Sequence, residues 1–111
     1  MVPLPPNDIL RGTLDLLILK ALSLEPMHGW AIGRRLEQMS GATMRVGQGS
    51  LYPAIQRLVE KGWIESDWRP NEQNRKVKYY MLTPSGQRAL GEEAASWQRY
   101  VDMVHVMLHT T

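Results

Sequence analysis

Polar side chains that can grip a polyanion cluster in two places along the 111 residues. The first is Gln48-Gly49-Ser50 with Tyr52, followed by Gln56 and Arg57. If this segment opens a helix, its free backbone N–H groups and positive dipole end favour a phosphate. Ser50 and Tyr52 add hydroxyl donors, and Gln48 and Gln56 have the amide geometry that reads the N6/N7 edge of adenine. The second cluster is Arg75, Lys76 and Lys78, whose charges suit a phosphate or a minor groove. Arg57, and Lys61 beyond it, have two readings, a phosphate contact or an ion pair with Glu60 and its neighbours. Arg34 and Arg35 are open in the same way.

Other chemistry is poorly supplied. His105 and His109 stand four apart, a spacing that offers a metal two ligands and no third. His28 reads as a helix cap. The chain has no cysteine, so disulfides and thiolate metal sites are excluded, and a reducing cytoplasm is the expected setting. No nucleophile, base and acid converge, and the acidic pairs Glu92-Glu93 and Glu65/Asp67 read as solvated faces. The expectation is therefore no enzyme, no cofactor and no metal. No apolar run approaches a membrane span, and the first residues lack a secretory pattern.

The charge is unevenly spread. Residues 1–29 carry two basic and three acidic side chains, residues 30–90 ten and five, and residues 91–111 one and three. The positive middle is the footprint of a nucleic-acid-binding region flanked by elements with another task.

The elements that must position these groups follow from periodicity. Residues 1–8, rich in proline, read as an arm. A first helix over about Ile9–Ser23, capped by Asn7 or Asp8, is apolar on nearly every side, as expected of a helix touching both its own core and a second subunit. A second helix spans about Trp30–Met39. Leu51, Ile55, Leu58 and Val59 form the stripe of a third, which Pro53 shortens or kinks and Gly62 stops. Trp63–Trp68 and Lys76–Leu82 read as a β-hairpin. Thr83-Pro84 starts a last helix to about His109, in which Leu90, Ala94, Trp97, Val101, Val104 and Leu108 are spaced as a heptad seam. Such a seam needs a partner surface, and Leu14 on the first helix joins it in this reading. The fold expected is mainly α with a small β-hairpin: a winged helix-turn-helix over 9–83 and a dimerisation helix over 84–111. Its second paired helix reads bases, and a homodimer would straddle a palindromic operator in double-stranded DNA. Trp97 is either a stacking platform for a small aromatic or hydrophobic effector or plain dimer core. The alternative is a winged helix that docks protein and not DNA.

Several runs resemble the PadR family of transcriptional regulators in its short form. They are Leu14-Asp15-Leu16-Leu17-Ile18-Leu19, His28-Gly29-Trp30, Gly49-Ser50-Leu51-Tyr52-Pro53-Ala54-Ile55-Gln56-Arg57-Leu58, Glu60-Lys61-Gly62-Trp63-Ile64, and Lys78-Tyr79-Tyr80-Met81-Leu82-Thr83 with Gly86. The resemblance covers nearly all of residues 9–108. It implies a winged helix with a C-terminal helix that dimerises, and usually a repressor. In some multidrug-sensing members a tryptophan on that helix lines a flat pore between subunits, and Trp97 matches it. Where the family often has a Ser or Thr cap followed by proline, this chain has Gly47-Gln48. Glycine caps a helix nearly as well.

Overall fold

The computed structural model describes residues 11–111. The arm over 1–8, and the start and cap of the first helix, lie outside the described residues. In chain order the elements are α1 (Arg11–Leu24), β1 (Met27–His28), α2 (Gly29–Met39), α3 (Gln48–Glu60), β2 (Ile64–Pro70), β3 (Lys76–Leu82) and α4 (Pro84–Leu108). The strands form one antiparallel sheet in the order β1-β3-β2.

The core lies where α1, α2 and α3 meet the sheet. Ile18, Leu19, Ile32, Ile55, Leu58 and Ile64 are its fully buried side chains. α1 is apolar around its circumference but does not use every side alike. Leu14, expected to face a second chain, is turned into the protomer's own core at 4% exposure. It therefore offers nothing to a partner. Leu16, on another side of the helix, borders a surface groove instead.

α3 runs unbroken for 13 residues with Pro53 inside it. The expected shortening does not occur, because a proline so near the start removes little. Proline lacks an N–H, so Pro53 leaves only the Gly49 carbonyl without its helical donor. The other end is closed by a Schellman motif. The Gly62 N–H donates to the Val59 carbonyl and the Trp63 N–H to the Leu58 carbonyl, with Gly62 at φ 75°. Glycine is the residue that takes this left-handed conformation without a Cβ penalty.

The hairpin turn is built on asparagine. Asn71 Oδ1 accepts from the Gln73 and Arg75 N–H groups at 3.0 and 2.9 Å, and Asn74 takes φ 59°. Asparagine tolerates that conformation better than most residues. At the hairpin's base the Thr83 N–H donates to the Trp63 carbonyl at 3.0 Å, and its hydroxyl donates to the Gly62 carbonyl at 2.7 Å. The same Oγ1 accepts from the Gly86 N–H at 3.0 Å and caps α4. A Cβ on Gly86 would fall onto the Trp63 carbonyl oxygen. α4 thus leaves the sheet at a joint that only glycine permits.

β1 was not foreseen. Residues 27 and 28 are extended because Met27 and His28 pair with Tyr80 and Tyr79. His28 then occupies the N-cap position of α2, but its side chain makes no capping bond. Its ring instead stacks near-parallel with Trp30 at 5.9 Å and meets Tyr79 edge-on at 5.7 Å.

Candidate nucleic-acid interface

The buried stripe of α3, Leu51, Ala54, Ile55 and Leu58, fixes which side faces out. Gln48, Gly49, Ser50, Tyr52, Pro53 and Gln56 are exposed. Gln48, Tyr52 and Gln56 follow one another at intervals of four and so form a single outer line. The structure thus brings together, on one exposed surface, every α3 residue expected to touch DNA except Arg57.

Arg57 is turned inward. Its Nη2 donates to Asp15 Oδ1 of α1 at 2.8 Å, and its Nε is buried without a partner among the described residues. Its ion-pair partner is thus Asp15 and not Glu60. Asp15 is 8% exposed and is the carboxylate that holds this cation in the interior. Arg35 is also engaged, with Glu25 at 2.7 Å, and Arg34 lies over the Trp30 ring at 4.8 Å.

Tyr52, an exposed residue, also has a structural duty. A Cβ on Gly29 would come within 2.7 Å of its Cε1 and 2.9 Å of its hydroxyl oxygen. The ring therefore lies against the first residue of α2 and sets the spacing of the two helices. Tyr80 is close by. Burial, and secondarily the negative charge of an ionised Tyr52, push the Tyr80 hydroxyl above its ordinary value of 10.0.

Strand register sorts the hairpin's side chains between two faces. Directly opposed residues share a face. The pairs Ile64 with Leu82, Ser66 with Tyr80, Trp68 with Lys78 and Pro70 with Lys76 lie on the inner face, which begins in the core at Ile64. Glu65, Asp67 and Arg69, opposite Met81, Tyr79 and Val77, lie on the outer face. The inner face therefore carries two lysines and no carboxylate, while both acids of β2 point away. Asp67 is moreover paired with Arg69 at 3.4 Å. Arg75 is exposed in the turn, and neither it nor Lys76 or Lys78 has an ion-pair partner among the described residues. The inner face is continuous with Tyr52 through Tyr80. Sequence reading passed over Tyr80 and Trp68; the available signal was their shared parity with Lys76 and Lys78 across the hairpin.

α4 is exposed along most of its length. Trp97, Tyr100, Val101, Met103, Val106, Met107 and Leu108 are all exposed apolar side chains, and Val104 is half-buried. Trp97 and Tyr100 stack with ring centres 5.9 Å apart and border a groove of about 290 Å³ against Gly12, Thr13 and Leu16 of α1, with Glu93 and Ser96. The rings of His105 and His109 lie 4.1 Å apart, and no group of three metal-binding side chains occurs among the described residues. Among the same residues no helix is long and apolar enough to cross a membrane.

The comparisons with known proteins agree with this arrangement. The profile of the transcriptional regulator PadR-like family matches residues 18–92. A crystal structure of a PadR family transcriptional regulator from Eggerthella lenta is 34% identical, covers 91% of this chain and 86% of its own, and superposes with a TM-score of 0.79. A PadR-like transcriptional regulator from Bacillus cereus is 28% identical over 94% of this chain and 99% of its own, with a TM-score of 0.78. An uncharacterized 37.1 kDa protein in transposon TN4556 of Streptomyces fradiae is 42% identical over 77% of this chain, which spans only 23% of that protein. Both solved structures are of transcriptional regulators, and the helices and hairpin of this chain form a winged helix and not an enzyme fold. The chain belongs to the PadR-like family of DNA-binding transcriptional regulators.

Proposed function

We propose that the chain acts as a homodimeric, sequence-specific repressor that reads a palindromic operator in the cytoplasm. Residues 9–83 are the reading head and residues 84–111 the pairing helix. Gln48, Gly49, Ser50, Tyr52 and Gln56 enter the major groove, while Arg75, Lys76 and Lys78 hold flanking phosphates. The observation that carries this reading is the union of an exposed polar start of α3 with a hairpin face bearing lysines and no acid. A protein-docking winged helix would have no use for that sorting of charge. Pairing through α4 is supported by its run of uncovered apolar side chains, Trp97, Val101 and Leu108 among them. A second copy covers them by isologous contact.

The experiment is selection of binding duplexes from a random-sequence library, followed by gel shifts across salt. The selected sites should be inverted repeats, with half-site centres about one helical turn apart. Affinity should fall about 10³-fold or more between 50 and 200 mM salt if six or more phosphates are held. No enrichment, or enrichment of sites without two-fold symmetry, would refute it.

The groove at Trp97 and Tyr100 supports effector control. A small aromatic or hydrophobic molecule seated there, beside α1, releases DNA if it binds the free protein more tightly than the bound one. Quenching of Trp97 fluorescence in a variant whose other tryptophans are phenylalanine, matched by loss of the gel shift, tests this. A panel of aromatic compounds without effect on either readout would leave a regulator with no effector at this groove.

A further inference from the structure

Trp68 is 63% exposed, near the polar and charged tip of the hairpin. It lies on the inner face, directly opposite Lys78, whose Nζ sits 5.9 Å from the ring centre. The cation steadies the indole and leaves much of it uncovered. One step toward the core along the same face is Tyr80, whose strand partner Met27 lies two residues before Gly29, against which the Tyr52 ring of α3 packs. One step toward the tip is the pair Pro70 and Lys76. Each step of two residues advances about 7 Å. The indole therefore stands about 7 Å further out along the face than Tyr80, with lysines at its own level and at the next, and with no carboxylate on that face of the two strands.

We propose that Trp68 is a DNA-contacting residue, its indole lying on the deoxyribose edge of the minor groove that flanks the half-site entered by α3. This rests on the regulator reading above and assigns a contact to the large exposed apolar group at the outer end of that surface. Charge complementarity selects the occupant. The surrounding cations favour a phosphate-walled groove, and a sugar edge is the apolar part of such a groove. The order along the face also fits: with α3 in a major groove about 12 Å wide, a hairpin running outward from beside it crosses the bordering backbone, with Trp68 inward of Pro70 and Lys76.

The test uses the full chain and a duplex selected by the wild-type protein. Trp68→Ala should weaken binding about tenfold, since covering roughly 60 Å² of indole is worth that much. The salt dependence should keep its slope, whereas Lys78→Gln should lower the slope by about one. Hydroxyl-radical footprinting, which reports on minor-groove sugars, should lose protection at the half-site flanks with Trp68→Ala and regain most of it with Trp68→Phe. The thermal midpoint of Trp68→Ala should stay near that of the wild type, because the side chain is already exposed. Wild-type affinity and an unchanged footprint for Trp68→Ala would overturn the inference while leaving the regulator reading intact. Failure of the wild-type protein to select any duplex would overturn both.

Discussion

The pair between Asp15 and Arg57 gives the sharpest test of how α3 is held. The carboxylate and guanidinium meet at 2.8 Å, with side-chain exposures of 12% and 29%. With charge centres about 4 Å apart, an effective dielectric constant near 20 gives an attraction of about 4 kcal/mol. Partial solvent access reduces this to about 2 kcal/mol, between the worth of a surface pair and that of a buried one. Arg57→Met keeps most of the stem and removes the cation, leaving Asp15 largely enclosed without a counter-charge. It should lower stability by about 2 kcal/mol, or roughly 10 °C in thermal midpoint for a chain of this size. Asp15→Leu should cost a similar amount, and the double variant should recover much of the loss because no charge is left stranded. Urea denaturation followed by circular dichroism reads the three values and yields the coupling as a double-mutant cycle. The slope of DNA affinity against salt should not change for Arg57→Met. If that variant kept its urea midpoint and lost about one unit of salt slope, Arg57 would be a phosphate ligand and the inward placement would be refuted.

Gly86→Ala should destabilise by about 3 kcal/mol, since the added methyl meets the Trp63 backbone and Leu82 Cδ1 at 2.8 Å, and backbone cannot rotate away; an unchanged thermal midpoint would show that the joint yields. If the chain pairs through α4 as proposed, Val104→Glu with Leu108→Glu should sediment as a monomer where the wild-type chain sediments as a dimer and weaken operator binding at least 100-fold, because one head alone makes half the contacts; a dimer that survives both charges would place the interface elsewhere. Tyr80 titrates above 10.0 because burial, then Tyr52, disfavours its ionised form. The folded chain therefore holds this proton more tightly than the unfolded chain, so the stability it contributes is present below pH 10 and is lost as pH rises through the folded value. Tyr80→Phe should flatten the alkaline fall in stability, and parallel profiles for the two proteins would contradict the assignment.

Helix limits were readable wherever the chain marks its own breaks, but the first hairpin strand, expected over Trp63–Trp68, runs Ile64–Pro70, because Arg69 and Pro70 pair with Val77 and Lys76 and leave the turn to the residues after them. Gly62, Thr83-Pro84 and the asparagine turn act locally, and the structure puts them where their chemistry implies. β1 was not readable, because two residues become a strand only when Tyr79 and Tyr80, some fifty residues later, lie beside them. Arg57 stayed open between two readings for the same reason. Its partner is 42 positions away, and a basic residue on a helix thought to face DNA reads as a DNA ligand until the carboxylate is seen. Leu14 and Leu16 could not be told apart on a helix apolar on all sides, where periodicity selects no inner face. The exposed line Gln48, Tyr52 and Gln56 was legible because Leu51, Ile55 and Leu58 define the opposite side.

The asparagine turn has a consequence larger than its size. A strand shifted by one residue exchanges its two sides. A single insertion between Asn71 and Asn74 that moved β2 against β3 would swing Glu65 and Asp67 to where Ser66 and Trp68 now stand, and would set two negative charges before the polyphosphate. The first three helices and the overall charge would be unchanged, but Ile64 would leave the core with its face, and attraction would become repulsion. One amide oxygen, accepting from two backbone N–H groups, thus governs the electrical polarity of the whole hairpin.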